Sequence, residues 1–250
     1  MKILKDFLAA ITFFTRLPVW KLVDIPSEHF KRMIYWWPLT GWITGGVTVT
    51  AWFLFSHCFP PLLAIICAFG VRTLLTGGFH EDGLGDFFDG FGGGRTKADV
   101  LRIMKDSQVG SYALLGLIFY YLLLINGLNS LPSSLIPIVI ISADSFSKFV
   151  TIILMNVLPY ARPENESKSK TTYEKLSWWK LAIAFATGVF PLAWWLNTHY
   201  IVASIAPVII MLLMLYLAKK KIAGYTGDIC GATALLCELS FYISILLLAK

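Results

Sequence analysis

Long apolar runs alternate with short basic segments along the whole chain. A helix of roughly 20 mainly apolar residues can cross a bilayer, and seven windows reach that standard: 33–56, 60–78, 109–130, 134–157, 178–197, 199–218 and 229–249. The fifth and sixth are parted only by Thr198 and its neighbours. Pro38, Gly41, Gly45 and Gly46 in the first predict close helix packing and a kink. Ahead of them, Leu4, Phe7, Leu8, Ile11 and Phe14 recur at helical spacing, bracketed by Asp6 and Arg16. That pattern predicts an amphipathic helix on the membrane surface within segment 1–32, not a cleaved leader, because no A-x-A-like site follows. The fold expected is all-α: one polytopic helix bundle over 1–250 with about seven spans and no internal repeat.

Composition supports the membrane class. Hydrophobic residues make up 57% of the 250 positions and charged residues 14%, against about 25% charged in a soluble domain. The net charge of +6 is concentrated in particular connections. Every Lys and Arg except Arg72, Lys148 and Lys250 lies in 1–32, 79–108, 158–180 or the run Lys219–Lys221. These are alternate connections, so the positive-inside rule puts them and the N-terminus in the cytoplasm and the C-terminus outside. The charge therefore implies no nucleic-acid partner; the partner it implies is membrane lipid. Segment 161–177 is polar and expected to be mobile. The cysteines, Cys58, Cys67, Cys230 and Cys237, form no C-x-x-C pair and read as buried free thiols.

Against this background one segment stands out. Glu81, Asp82, Asp86 and Asp89 place four of the chain's 15 acidic residues within nine positions beside an apolar run. Clustered carboxylates near lipid need a compensating positive charge, and a divalent cation supplies one economically. Asp82, Asp86 and Asp89 are four and three apart, which puts them on one face of a helix. Gly83, Gly85 and Gly90 leave room for a ligand or another backbone. The spacing suits a magnesium site on the cytosolic segment 79–108 and does not match an EF-hand. The plain alternative is a solvated acidic loop or a calcium-binding turn.

Neighbouring residues extend the chemistry. Gly92, Gly93 and Gly94 could turn backbone N–H groups toward an anion, with Arg95 adding a charged fork for phosphate. Lys105, Asp106 and Ser107 follow; they could serve phosphate and metal or simply end a helix at the water boundary. Arg72, Asp144, Lys148 and Glu238 are ionisable groups inside apolar windows, functional or paired by default. Asp144 and Lys148 are one turn apart and suit an internal salt bridge, while Arg72 is one turn before Thr76 and points toward the acidic motif. Asp228 either N-caps the last span or joins the site. His80, beside the carboxylates, reads as a hydrogen-bonding bystander or a ligand.

The run from Gly77 to Gly90, with Gly93-Gly94 and Ile103-Met104-Lys105-Asp106-Ser107, resembles the signature of the cobalamin synthase family. Phe13–Pro18, Tyr160–Glu164 and Thr226–Gly231 are similar to the family as well. The resemblance implies an adenosylcobinamide-GDP ribazoletransferase activity: a GDP-activated corrinoid is joined to α-ribazole or its 5′-phosphate, and GMP leaves. It also implies a Mg2+ requirement, a bacterial or archaeal inner membrane, and a site facing the cytoplasm. Asp82, Asp86, Asp89 and Asp106 are then the catalytic candidates, with Asp89 the choice for general base by position alone. Asp82, Asp86, Asp89 and Glu81 would hold metal, and Arg72, Gly92–Gly94, Arg95, Lys105, Ser107 and Asp228 would contact substrate. A looser similarity to CDP-alcohol phosphotransferases keeps a phospholipid-type enzyme as the alternative, with a cation or solute transporter behind it. A homo-oligomer is compatible with all three.

The orientation is open to direct test. A cysteine introduced at Lys97 or Lys168 is expected to react with a membrane-impermeant thiol reagent only after the cell is opened. Labelling at either position in sealed cells overturns the orientation.

Overall fold

The structure is a computed structural model that describes residues 2–162, 173–195 and 198–249. Most of the polar segment 161–177 therefore lies outside the described residues, as does Lys168. Among the described residues the fold is helical, with no named strand. The helices are α1 (Lys2–Phe14), α2 (Ser27–Arg32), α3 (Trp37–Ser56), α4 (Pro61–Thr76), α5 (Phe79–Gly93), α6 (Lys97–Ile103), α7 (Ser111–Asn129), α8 (Ile136–Val157), α9 (Trp178–Trp195), α10 (Thr198–Ile201), α11 (Ile205–Ile222) and α12 (Gly227–Leu248).

Four stretches are long and apolar enough to cross a membrane: α7, α8, the run from Thr198 to Ile222, and α12. The pair α4 and α5 makes a fifth only if taken together, because it bends by 92°. The other expected windows are helical but fall short of the same standard. Thr and Gly dilute α3, Trp and Lys180 dilute α9, and α4 has 16 residues.

Helix α8 is the core of the bundle; Val139, Ile140, Ala143, Val150 and Leu154 are fully buried. Helix α3 lies against it through Gly41 and Gly45. A Cβ on Gly41 would come within 2.8 Å of the Ser145 Cα, so only glycine lets the two backbones approach this closely. Pro38 lies in the first turn of α3, where no N–H is needed.

The ionisable residues inside the bundle satisfy one another. Arg72 on α4 donates to both oxygens of Glu238 on α12, at 2.5 Å for Nη2 to Oε2, and the Tyr242 hydroxyl donates to Oε1 of the same carboxylate at 2.5 Å. Lys148 pairs with Asp144 one turn away, and the Thr44 hydroxyl donates to Asp144 at 2.5 Å. Arg72 Nη2 lies 4.0 Å from Asp144, which links the two pairs. Removing one partner would strand a buried charge.

The N-terminal segment packs through part of its apolar spacing, Ile11 and Phe14, together with a buried carboxylate. The face of α1 turned to the protein carries Asp6, Ala9, Ala10, Ile11 and Phe14, while Leu4 is 59% exposed. Asp6 sets this rotation: its carboxylate pairs with His29 Nδ1 at 2.5 Å and accepts from the Tyr35 hydroxyl at 2.9 Å. The cysteines are free thiols; Cys230 and Cys237 are buried, but Cys58 is exposed beyond the end of α3.

Gly41→Ala is expected to destabilise the bundle by about 1–3 kcal/mol, because neighbouring backbone cannot yield. Gly46→Ala, whose Cβ would meet nothing within 4 Å, is expected to be neutral or stabilising by up to about 1 kcal/mol. Equilibrium unfolding in detergent compares the two.

Candidate active site

Two consecutive left-handed residues, Gly77 (φ 73°) and Gly78 (φ 70°), end α4 and open α5. A side chain at Gly77 would be strained by the dihedral and would meet Arg16 Nε at 2.5 Å. The Arg16 N–H also donates to the Leu75 carbonyl at 2.7 Å. The exit of α1 and the α4–α5 bend are therefore built as one unit.

Beyond the bend, Gly83 brings α5 onto the start of α12; its Cβ would stand 2.9 Å from the Asp228 carbonyl oxygen. A different face of α5 carries the carboxylates. Glu81, Asp82, Asp86 and Asp89 all line one cavity of about 700 Å³, together with Arg16, Gly85, Lys105, Asp106 and Ser107. The short helix α6 brings Lys105–Ser107 back to this cavity. Thr96 N-caps it in a capping box, and the Thr96 bonds hold the Asp99 carboxyl below its ordinary range.

The four carboxylates are not equivalent. Asp89 accepts the Gly110 N–H at 2.7 Å and the Ala113 N–H at 2.9 Å, and so caps the N-terminus of α7. Each of its oxygens takes one backbone N–H, which gives Asp89 a structural task besides any part in the chemistry. Asp82 is exposed and Asp86 half-buried. Glu81 carries a buried Oε2 with no hydrogen-bond partner. Among the described residues no three His, Cys, Asp or Glu side chains converge to hold an ion by themselves. The donor set still fits Mg2+, which takes one or two protein carboxylates and completes its octahedron with water and substrate phosphate.

A second cavity of about 250 Å³ adjoins the first, and Phe13, Phe79 and Asp82 line both. Its wall is aromatic: Phe14, Trp37, Tyr160 and Tyr173, with His80. Arg162 and Asp228 line it too, with Arg162 Nη2 3.9 Å from Asp228 Oδ2. At the parallel bridge between Tyr160 and Tyr225, the Ala161 N–H donates to the Tyr225 carbonyl and the Tyr225 N–H to the Pro159 carbonyl, each at 2.9 Å, which brings Arg162 and Asp228 to the same place.

Several sequence expectations are redirected. Gly92, Gly93, Gly94 and Arg95 line neither cavity. Gly92 and Gly94 are glycines for packing: a Cβ would strike the Tyr112 ring at 2.8 Å or Val100 at 2.5 Å. The carbonyls of Phe91 and Gly94 at this helix end accept from the Lys221 ammonium at 2.8 and 3.2 Å, and Arg95 is exposed beyond them. Arg72 is committed to Glu238. The N-cap of α12 is Thr226, whose hydroxyl accepts the Ile229 N–H, so Asp228 is left to line the aromatic cavity. Arg16, Arg162 and the aromatic wall were not singled out for chemistry. Their only signal was that Phe13–Pro18 and Tyr160–Glu164 sit in stretches similar to the family.

A helical membrane protein with an acidic cavity, two cations at its rim and an aromatic chamber beside it has the make-up of a membrane enzyme acting on a charged substrate. The chain belongs to the cobalamin-5-phosphate synthase family, whose model matches residues 6–246. It is 35% identical over 247 residues to a protein of Shewanella sp. (strain W3-18-1) named adenosylcobinamide-GDP ribazoletransferase, covering 98% of this chain and 94% of that one. A protein of the same name from Leptospira biflexa is 31% identical over 259 residues, covering 95% and 94%. No solved structure matches the chain.

Asp89→Ala is expected to lower stability by about 1 kcal/mol through the lost cap of α7. Asp82→Ala, at an exposed position, should stay within about 0.5 kcal/mol of the parent. Denaturant titration of both variants in detergent checks the pair, and equal losses contradict the division of roles.

Proposed function

We propose that the protein transfers the corrinoid-phosphoryl group of a GDP-activated corrinoid to a ribose hydroxyl of α-ribazole, or of its 5′-phosphate, and releases GMP. The observation that carries this reading is the placement of the four cluster carboxylates, Arg16 and Lys105 around one cavity in a chain of this family. A diphosphate needs cations to hold it and a carboxylate to take a proton, and that cavity offers both.

In the transfer, the ribose oxygen bonds to the corrinoid-bearing phosphorus. The bond from that phosphorus to the bridging oxygen breaks, and GMP departs with the electron pair. Arg16 and Lys105 hold the diphosphate oxygens; the guanidinium is the better match for paired oxygens. Asp82 is the one cluster carboxylate that lines both cavities, and it accepts the proton of the hydroxyl. Asp86 and Glu81 would hold a magnesium ion, with water and substrate phosphate completing its shell. When bound, that ion would offset the charge growing on the phosphates. Asp106 accepts the Gln108 N–H at 3.0 Å, a turn that keeps Lys105 and Ser107 at the cavity. The basic connections support about seven spans in a bacterial inner membrane, with the site open to the cytoplasm.

Protein purified in detergent and supplied with both substrates is expected to release GMP in step with product. Chelation of magnesium should stop the release and magnesium should restore it. Asp82→Ala and Asp86→Ala should each lower turnover at least about a hundredfold. Metal-independent turnover, or CMP release from a CDP-alcohol without GMP from the corrinoid, contradicts the proposal.

A further inference from the structure

We infer that the aromatic cavity is the pocket for the flat azole base of the acceptor riboside, which orients the ribose hydroxyl toward Asp82. The inference rests on the proposed transfer reaction and goes beyond it by assigning the acceptor subsite.

The walls are built for a planar ring. The Phe14 and Trp37 rings stack at 4.9 Å with an interplanar angle of 11°. The His80 ring lies near-parallel to both, at 6.0 Å from Phe14 and 5.7 Å from Trp37. Such surfaces favour a flat aromatic partner. At about 250 Å³ the cavity takes a bicyclic base and is far too small for a corrin macrocycle.

The polar groups narrow the ligand further. Six buried side-chain N or O atoms among the described residues have no hydrogen-bond partner. Three of them, Trp37 Nε1, His80 Nε2 and Arg162 Nε, belong to residues lining this one cavity. Trp37, His80 and Arg162 are respectively 1%, 4% and 7% exposed. Indole and guanidinium nitrogens only donate, and an imidazole nitrogen donates in one tautomer. Unpaired donors this deep are costly, and a ligand with a ring-nitrogen acceptor relieves the cost for one of them. An azole base has that acceptor and no donor of its own. Guanine presents donors as well; of the two carboxylates at this cavity, Asp228 already faces Arg162 and the Thr226 hydroxyl, and Asp82 is the one the proposed reaction keeps for the ribose hydroxyl. Because Asp82 lines both cavities, a riboside seated by its base sends its sugar to the place where the diphosphate is held.

Calorimetric titration of the purified protein tests this with two probes. One is α-ribazole, a benzimidazole riboside; the other is the matched indole riboside, which lacks the acceptor nitrogen. The wild type is expected to bind α-ribazole at least about tenfold more tightly than the indole compound, the worth of one hydrogen bond. His80→Phe keeps the ring and removes its nitrogens, and Trp37→Phe does the same for the indole N–H. At least one of them should abolish the preference while leaving the affinity for the GDP-activated corrinoid within about twofold of the parent. A preference that survives both variants, no measurable riboside binding, or displacement of the riboside by GMP overturns the assignment. Riboside binding with the expected preference but no GMP release overturns the transfer reaction and leaves the pocket standing.

Discussion

The right-angle turn at Gly77-Gly78 is the constraint on which the site depends. Two left-handed residues in succession are open only to glycine without strain, and here the missing Cβ also makes room for the Arg16 guanidinium. The turn sends α5 across the bundle at 92° to α4. Three consequences follow from that direction. Gly83 settles on the backbone of α12, Asp89 reaches the N-terminus of α7, and Asp82 and Asp86 are left facing a cavity. The anchor is the buried pair Arg72–Glu238, which ties α4 to α12 on the near side of the turn. A charged pair at such depth is held by mutual need more than by net stabilisation.

The acidic face is tolerated because its charges are met unequally. Asp89 spends its charge on the positive end of α7. Arg16 and Lys105 sit at the same cavity as the remainder. Glu81 keeps an oxygen buried without a partner, a cost that folding alone does not recover and that a bound cation would. This incompletely satisfied arrangement is characteristic of a functional site more than of a structural one.

Much of the architecture was legible in the sequence because it rests on local periodicity. Among the described residues the apolar windows are helical, though only four or five stretches are long and apolar enough to span, and Asp82, Asp86 and Asp89 line one cavity from α5 as their spacing indicates. Asp144 and Lys148, one turn apart, pair as their spacing indicates. What escaped was set by partners distant in sequence. Arg72 read as a site residue because Glu238, 166 positions away, could not be assigned to it. Asp6 joined Ile11 and Phe14 on the buried face of α1 because His29 and Tyr35 take its charge. Gly92–Gly94 misled for a different reason: a glycine run that would cradle an anion looks the same as one that lets Tyr112 and Val100 approach. The aromatic chamber gave no periodic pattern, since Phe14, Trp37, His80 and Arg162 come from four separate segments.

The central claim is that the carboxylates of α5 and the substrate phosphates meet in one cavity around a divalent ion. Electron–nuclear double resonance on protein loaded with Mn2+ in place of magnesium and with the GDP-activated corrinoid tests it most directly. The expected result is phosphorus coupling to the bound ion, lost in Asp86→Asn with the fold intact by circular dichroism. Bound Mn2+ without phosphorus coupling, or coupling unchanged in both Asp82→Asn and Asp86→Asn, would contradict it.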